Sequence, residues 1–310
     1  MAHLVDVAEL DCILWTSLFT HSTKTTAKHV DFKFNRILFF VFTLSRHNVN
    51  TFRRTNGRTQ HTGRTIFYVV HRFDVNDEGQ PLWGMEDFCA LLGLRPAQKY
   101  ETTWERIARA VRDHVPGNRQ YETFQHLAAI LLLTYALRNA DCHAKNIALL
   151  YTSRANVHLS PAYDFLTTSV YAGYQNNPPG ISFGGKKTWT PGKNLSKFIA
   201  AKFGIPLREQ SEMVERISDS VADVVPLVQN KMSDLPEFKD TGKRMLLAWQ
   251  EGAKGLRDRR VYPVGDWPRG KVFDGISDVP RLESPRSVVG RSPLLGGRAK
   301  ATRKKASSNV

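Results

Sequence analysis

Asn139-Ala-Asp-Cys-His-Ala-Lys-Asn146 is the most informative segment of this 310-residue sequence. Before it, the apolar residues of 121–138 recur every three or four positions, and from Leu127 to Leu137 they cover nearly every side, which is typical of a buried helix. After it, 147–151 and 157–160 are short apolar runs joined by a polar turn, which predicts a hairpin. Polar side chains crowded between a core helix and a hairpin must find partners, so we expect a functional site here.

The spacing of Asp141, Asn146 and Asp164 is that of a phosphoryl-transfer centre. Asp141 and Asn146 enclose four residues, as do the catalytic-loop Asp and Asn of protein kinases. There the Asp takes up the proton of the attacking hydroxyl and the Asn oxygen binds Mg²⁺. Asp164 follows the predicted hairpin, at the place of the metal-binding Asp in kinases. The three side chains predict one proton acceptor and two oxygen ligands for a metal that bridges ATP phosphates.

Two further side chains of this segment are candidates for the same centre. Lys145 precedes the predicted metal ligand and either reaches the transferring phosphate, where it offsets developing charge, or is a solvated surface cation. His143 either holds the loop by hydrogen bonding or is a packed imidazole. Asp141 also has a structural alternative, because an Asp commonly caps a chain reversal.

The flanking segments predict an α+β chain in which helices dominate. Residues 65–70 are β-branched and aromatic and predict a strand, which is followed by Arg72, Phe73 and Asp74 and then by a turn. The segment 164–192 is rich in Gly, Asn and Pro and is predicted to be mostly loop. Helical periodicity predicts further helices at about 85–92, 102–114, 194–203, 208–232 and 241–258.

Several motifs, taken together, resemble one protein family. Besides 139–146, they lie at 72–74, 86–92, 99–101, 159–164 and 182–187. Over about 65–260 the sequence resembles the HipA family of serine/threonine protein kinases, the toxins of HipA/HipB-type toxin–antitoxin modules. The resemblance implies a protein-kinase-like fold with a mostly helical C-terminal lobe and a short β-hairpin at the active site.

The resemblance also implies roles for single residues of the predicted site. Asp141 is the expected catalytic base, and Lys145 and His143 are the other candidate catalytic residues. Asn146 and Asp164 are the expected ligands of Mg²⁺.

Cofactor and partners follow from the same resemblance. Residues 65–75 are expected to form the hinge beside the adenine of ATP, with Arg72, Phe73 and Asp74 as the cofactor-binding residues. Family substrates include translation proteins such as aminoacyl-tRNA synthetases, and the usual partner is a small DNA-binding antitoxin of the HipB type. Contact with DNA is therefore expected only through the antitoxin.

Residues 1–60 depart from the family pattern. Family members have a sheet-rich N-terminal lobe with a Gly-rich loop and a Lys that contact ATP, whereas this segment has one glycine, Gly57, and only Phe32-Lys-Phe34 as a lysine-bearing strand. We hypothesise that the native lobe is lost or replaced. The predicted organisation is an atypical, poorly ordered segment at 1–60, a kinase-like C-terminal lobe with its hinge at 61–260, and a basic, largely disordered tail at 261–310.

The formal net charge of +15 is concentrated at the ends of the chain. Residues 1–60 hold 8 basic and 4 acidic side chains, and residues 281–310 hold 8 and 1. The remaining +4, over the 220 residues from 61 to 280, is ordinary for an enzyme lobe. The charge therefore does not predict a nucleic-acid-binding surface on the kinase-like region.

Cysteine usage and the N-terminal sequence predict a reducing compartment. The three cysteines, Cys12, Cys89 and Cys142, form no CxxC pair, which argues against a disulfide framework and against structural zinc. The apolar run at 37–42 is far shorter than the roughly 20 residues of a membrane helix, and the acidic residues at 6, 9 and 11 do not fit a signal peptide. We expect a cytoplasmic protein without membrane contact.

Three functions from different classes are open at this point. The first is an active HipA-like kinase, and the second is a catalytically inactive HipA remnant that only binds an antitoxin. The third is a non-kinase metallohydrolase built on Asp141, His143 and Asp164, for which His126 and His158 are the additional histidines.

Two other features have alternative interpretations. Gly184-Gly-Lys-Lys187 lacks the spacing of a P-loop and is either a packed loop or a contact for phosphate or an acidic substrate. Trp249 and Trp267, with arginines such as Arg257, are either packed side chains at a helix end or a stacking surface for single-stranded nucleic acid.

Overall fold

The computed structural model describes most of the chain between residues 73 and 276, together with two short strands upstream. The described residues are 42–43, 66–67, 73–76, 79–189 and 192–276. Arg72, almost all of the predicted N-terminal segment and the last part of the predicted tail, 277–310, lie outside them. The upstream strands, β1 (Phe42–Thr43) and β2 (Ile66–Phe67), pair antiparallel, and β2 belongs to the strand predicted at 65–70.

A three-stranded antiparallel sheet contains the predicted hairpin. The hairpin is formed by β4 (Ala148–Ser153) and β5 (Asn156–Leu159), and β3 (Gly84–Asp87) pairs with the other edge of β4. Asp87 lies opposite Ala148 in this register. The sheet therefore brings the chain that follows the predicted hinge beside the chain that leaves the 139–146 segment.

The helix predicted at 85–92 is only partly correct. Helix α1 is Phe88–Leu91, and residues 85–87 belong to β3. Asp87 Oδ1 accepts a hydrogen bond from the Ala90 N–H at 2.9 Å, so Asp87 caps the helix and sets its first residue. Local periodicity missed the strand because residues 85–87 pair with β4, which is distant in sequence.

The other helices lie within four residues of their predicted positions. Helix α3 (Gly117–Ala136) forms the centre of the core, where Leu127, Leu131 and Leu132 are fully buried. Of the helices in the described ranges, none has both the length and the apolar composition needed to span a membrane. The helices are α2 (Trp104–His114), α3 (Gly117–Ala136), α4 (Lys193–Phe198, continued by a π-helical turn at Ile199–Phe203), α5 (Leu207–Asp234) and α6 (Lys239–Leu256).

Helix α6 packs directly on the end of α3. A Cβ placed on Gly252 would lie 2.2 Å from Ala136 O, so only glycine allows this approach. Trp249, on the same helix, is buried and donates from Nε1 to Thr167 Oγ1 at 2.7 Å. The interpretation of Trp249 as a core residue is confirmed, and this contact fixes the chain that follows Asp164.

The packed part of the chain continues beyond residue 260. Tyr262 and Phe273 are buried, and Trp267 Nε1 donates to Asp219 Oδ1 on α5 at 3.0 Å. Arg257 lies over the Trp267 ring at 5.5 Å, so this tryptophan is part of the packing at the helix end. The first part of the predicted tail, 261–276, is therefore structured, because its apolar side chains cover α5.

Candidate active site

A Schellman motif ends α3 and turns the chain into residues 139–146, hereafter the polar loop. The Asn139 N–H bonds Thr134 O at 3.0 Å, and the Arg138 N–H bonds Tyr135 O at 3.4 Å. Arg138 has a φ of 56°, in the left-handed region that glycine usually occupies at this position. The polar loop thus leaves the core helix in a direction set by backbone hydrogen bonds.

The polar loop is held in place by Thr168 and Gly180, which come later in the chain. Thr168 Oγ1 donates to Arg138 O and accepts from the Ala140 N–H, both at 2.9 Å. Gly180 lies so close that a Cβ there would be 2.3 Å from Cys142 O. Backbone carbonyls cannot move aside as flexible side chains can, so this position requires glycine.

The polar loop brings Asn146 into contact with Asp164. Asn146 Nδ2 donates to Asp164 Oδ2 at 2.6 Å, and Asn146 Oδ1 accepts from the His143 N–H at 3.1 Å. These two partners fix the orientation of the amide, because only its nitrogen donates and only its oxygen accepts. Asp164 is exposed and has a φ of 58°, a left-handed conformation that is uncommon for non-glycine residues and is enriched at functional sites.

The oxygen atoms of Asn146 and Asp164 suit a hard cation. Mg²⁺ is usually held by one or two protein oxygens together with substrate phosphates. The Asn146 amide takes up one carboxylate oxygen of Asp164, and the His143 N–H takes up one lone pair of Asn146 Oδ1. Each residue therefore keeps at least one oxygen lone pair that could coordinate a metal, and the pair fits Mg²⁺.

A metal site of the kind required by the metallohydrolase hypothesis is not formed by Asp141, His143 and Asp164. Within the described ranges, no three His, Cys, Asp or Glu side chains are grouped so that they could hold a metal ion.

Asp141 is held by hydrogen bonds and is partly exposed. The Tyr100 O–H donates to Asp141 Oδ1, and the Asp141 N–H bonds Asn139 Oδ1 at 3.0 Å. Burial raises the pKa of Asp141, the hydrogen bond from Tyr100 and the charge of Lys99 lower it, and the charge of Asp164 raises it further. The side chain is 21% exposed, so the carboxylate remains in contact with solvent.

His143 is a packed imidazole that is uncharged near neutral pH. Its Nδ1 accepts from the Lys145 N–H at 3.3 Å, and its ring packs edge-on against Tyr100 with 5.0 Å between centroids. Burial, followed by the charge of Lys99, lowers the pKa of His143 to about 4. His143 therefore combines the two interpretations, because its ring is packed and its Nδ1 also accepts a hydrogen bond within the loop.

Lys145 is paired with an acidic side chain outside the polar loop. Its Nζ lies 2.5 Å from Asp87 Oδ2, and this hydrogen bond raises the pKa of Lys145. Because Asp87 also caps α1, the ion pair joins the polar loop to the junction of β3 and α1. The Lys145 side chain is 43% exposed, so screening by water keeps the contribution of the pair to stability small.

Phe73 reaches the site through Tyr163, which precedes Asp164. The two rings lie 5.7 Å apart, and the Tyr163 O–H donates to Lys145 O at 2.7 Å. Asp74 O accepts from the Leu82 N–H at 2.8 Å, which closes the turn before β3. Of the predicted hinge, Phe73 therefore packs against Tyr163, which bonds the polar loop and directly precedes Asp164.

Three residues outside the predicted site contact it, and of these only Lys187 had a candidate role from the sequence, as part of the segment 184–187. Asp87 binds Lys145, and Tyr100 binds Asp141. Lys187 donates from Nζ to Gly180 O and, at 3.5 Å, to Tyr100 O. Tyr100 belongs to one of the family motifs, but its partner Asp141 is 41 positions away, so the motif alone did not indicate the contact.

The segment Gly184-Gly-Lys-Lys187 is a packed turn. The Gly184 N–H donates to Glu105 Oε1 at 2.7 Å, and Phe183 and Lys186 exchange backbone hydrogen bonds. Half-burial lowers the pKa of Lys187, whose ammonium group binds the carbonyls of Gly180 and Tyr100. These contacts fit the packed-loop interpretation, while Gly184, Gly185 and Lys186 are exposed and a contact with phosphate or an acidic substrate stays a prediction.

Comparison with known proteins identifies relatives of this chain. The family model described as the HipA-like C-terminal domain matches residues 33–225, which is more than half of the sequence and includes the polar loop and Asp164.

Three curated relatives have provisional kinase names. Y4dM of Sinorhizobium fredii (strain NBRC 101917 / NGR234) is 33% identical over 104 residues, which cover 33% of this chain and 24% of that protein. Y4mE of the same strain is 27% identical over 199 residues, 59% of this chain and 43% of that protein. A protein of Haemophilus influenzae (strain ATCC 51907 / DSM 11121 / KW20 / Rd) is 25% identical over 113 residues, 34% of this chain and 32% of that protein. The chain thus spans less than half the length of each.

A solved structure shows the same fold. HipA of Shewanella oneidensis MR-1, determined with HipB and its operator DNA, superposes with a TM-score of 0.50 at 16% identity, over 84% of this chain and 58% of that one. The described chain accordingly has a protein-kinase-like α+β fold that is mostly helical, with a small antiparallel sheet. With the family match over more than half of its length, the chain belongs to the family of HipA-like C-terminal domains.

Proposed function

We propose that the protein is a HipA-like serine/threonine protein kinase that transfers the γ-phosphate of ATP to a protein hydroxyl. The observation that carries the proposal is the 2.6 Å contact between Asn146 and Asp164, which lies at the end of the loop that also bears Asp141. The family match and the kinase names of the relatives support the reaction class.

Asp141 is the proposed base in this reaction. The substrate hydroxyl oxygen bonds the γ-phosphorus, the bond between that phosphorus and the β,γ-bridging oxygen breaks, ADP leaves, and the hydroxyl proton goes to Asp141. Burial raises the pKa of Asp141 and so makes its carboxylate a stronger proton acceptor. Asn146 and Asp164 would hold Mg²⁺, which neutralises phosphate charge when bound.

The remaining site residues have supporting roles in the proposal. Lys145 would reach the transferring phosphate after release from Asp87, and His143 would keep the polar loop in shape. Arg72, Phe73 and Asp74 would form the hinge beside the adenine, which the contact of Phe73 with Tyr163 supports.

A small DNA-binding antitoxin of the HipB type is the proposed partner, because the HipA of S. oneidensis was solved with HipB and operator DNA. Any contact of this chain with DNA would then be indirect. The proposed substrate is a translation protein such as an aminoacyl-tRNA synthetase, and the proposed location is the cytoplasm.

The kinase proposal is tested with the purified full chain, γ-labelled ATP and Mg²⁺, with label followed on the chain itself and on added aminoacyl-tRNA synthetases. Asp141→Asn is expected to lower transfer at least about 100-fold, because it removes the base. Asp164→Asn is expected to abolish the Mg²⁺-dependent signal. Asp113→Asn, the same change on the exposed face of α2, serves as control and should behave as wild type. Equal transfer by wild type and Asp141→Asn would refute the proposal.

The alternative is a catalytically inactive HipA remnant that acts only as a binding partner of an antitoxin. The lack of a Gly-rich, lysine-bearing lobe pattern in residues 1–60 favours it. Thermal unfolding with ATP and Mg²⁺ separates the two. A rise in melting temperature that is lost in Asp164→Asn supports the kinase, whereas identical melting of both proteins together with absent label transfer supports the remnant.

A further inference from the structure

We propose that Tyr100 is a positioning residue for the proposed base, holding Asp141 Oδ1 so that Oδ2 is the oxygen that takes up the substrate proton. This inference rests on the proposed kinase function and adds a residue to its machinery. Tyr100 precedes α2, is buried, and donates its O–H to Asp141 Oδ1 across 41 positions of sequence.

The Tyr100 ring and backbone are fixed by several independent contacts. The ring packs edge-on against His143, and the Lys99 ammonium lies 5.1 Å from the ring centroid on its face. Lys187 Nζ donates to Tyr100 O at 3.5 Å, and the Ala144 N–H bonds Lys99 O at 3.1 Å. The Tyr100 hydroxyl therefore has a fixed position, and its hydrogen bond fixes the position of the Asp141 carboxylate.

The direction of this hydrogen bond is fixed by chemistry. Burial and the nearby Asp141 raise the pKa of the Tyr100 hydroxyl above its ordinary value of 10, so Tyr100 stays protonated and acts as the donor. An ionised carboxylate only accepts hydrogen bonds. Tyr100 thus occupies one acceptor atom of Asp141 throughout the pH range in which an aspartate serves as a base.

The hydrogen bond between Tyr100 and Asp141 predicts that loss of the Tyr100 hydroxyl changes the pH dependence of phosphate transfer. The titratable groups around Asp141 are Tyr100, Lys99, Cys142, His143 and Asp164. The hydrogen bond from Tyr100 stabilises the ionised carboxylate and lowers its pKa, so removal of the hydroxyl raises that pKa. Because the base must be ionised to act, the acidic limb of the pH–rate profile then moves to higher pH.

Tyr100→Phe tests the proposal, since it removes one hydroxyl and keeps the ring between His143 and Lys99. In the full chain we expect transfer to fall about tenfold at neutral pH, with the KM for ATP unchanged and the acidic limb at higher pH. Tyr121→Phe is the matched control, because the Tyr121 O–H also donates to a carboxylate, Glu209 Oε1 at 2.7 Å, away from the polar loop. A wild-type rate and acidic limb in Tyr100→Phe would overturn the proposal.

A second measurement does not depend on kinase activity. The carboxyl group of Asp141 is titrated by ¹³C NMR in wild type and Tyr100→Phe, with its signal assigned by its loss in Asp141→Asn. A higher pKa in Tyr100→Phe supports the contact, and an unchanged pKa overturns it. If wild type transfers no phosphate while the pKa still rises, the proposed function fails but the Tyr100–Asp141 contact stands.

Discussion

Arg138 and Asp164 are the non-glycine residues with a positive φ among those that the structure describes, at 56° and 58°. Arg138 directly precedes the polar loop, and Asp164 contacts its last residue, Asn146. Such conformations cost on the order of 1 kcal/mol or more each and persist only where the surroundings impose them. At the residue scale, therefore, both ends of the proposed site have a backbone geometry that only the packed structure can maintain.

His126 on α3 is expected to make stability depend on pH. Its Nε2 is shielded from solvent, and burial, with a smaller effect of His158, lowers its pKa from 6.5 to about 4. Below pH 6.5 the unfolded chain binds a proton at this position, whereas the folded chain does not bind it until about pH 4. Stability contributed by the neutral imidazole is therefore lost as the pH falls through this window.

Between pH 7.5 and pH 5, the free energy of unfolding should fall by up to about 2 kcal/mol because of His126. Urea unfolding of wild type and His126→Leu at both pH values measures it. The variant is expected to show the smaller decrease between the two conditions. An equal decrease in both proteins would mean that His126 is not the group responsible.

At the element scale, the close packing of α6 on the end of α3 depends on one glycine. A Cβ on Gly252 would lie 2.2 Å from Ala136 O and 2.7 Å from Tyr135 O. These are backbone atoms of a core helix, so the two helices must separate if a methyl group is added.

Gly252→Ala is expected to destabilise the fold by about 1–3 kcal/mol. Gly255→Ala, one turn further on the same helix, is the matched control, because a Cβ at Gly255 meets nothing within 4 Å. That change should stabilise by about 0.5–1 kcal/mol through helix propensity. Thermal or urea unfolding measures both, and a destabilisation of equal size at the two positions would contradict the packing explanation.

At the scale of the whole molecule, residues 261–276 are expected to belong to the folded unit. Tyr262, Val264 and Phe273 are buried, and Trp267 bonds Asp219 on α5. Burial of each large apolar side chain contributes about 1.5–3 kcal/mol. A chain that ends at residue 276 should therefore unfold at a much higher urea concentration than one that ends at residue 260. Equal midpoints would show that this segment adds nothing to the fold.

Prediction from sequence succeeded where structure depends on neighbours along the chain. The apolar periodicity of α3 and the short apolar runs of β4 and β5 are local signals, and the structure confirms all three elements. Residues 85–87 were predicted to be helical but form β3, because the pairing that makes them a strand comes from β4, more than 60 positions away. A local pattern contains no information about such a partner.

The same distinction applies to the candidate site. Asp141, Asn146 and Asp164 were proposed as site residues from their spacing, and the structure brings Asn146 into contact with Asp164 through one helix end, one loop and one hairpin, each of which is encoded locally. Their roles stay predictions. The roles of Tyr100, Asp87 and Lys187 became visible only in the tertiary structure. Tyr100 and Asp87 lie 41 and 58 positions from the residues that they bind. Hydrogen bonds between residues so far apart in sequence depend on how separate elements pack. The local periodicity of the sequence does not predict that packing.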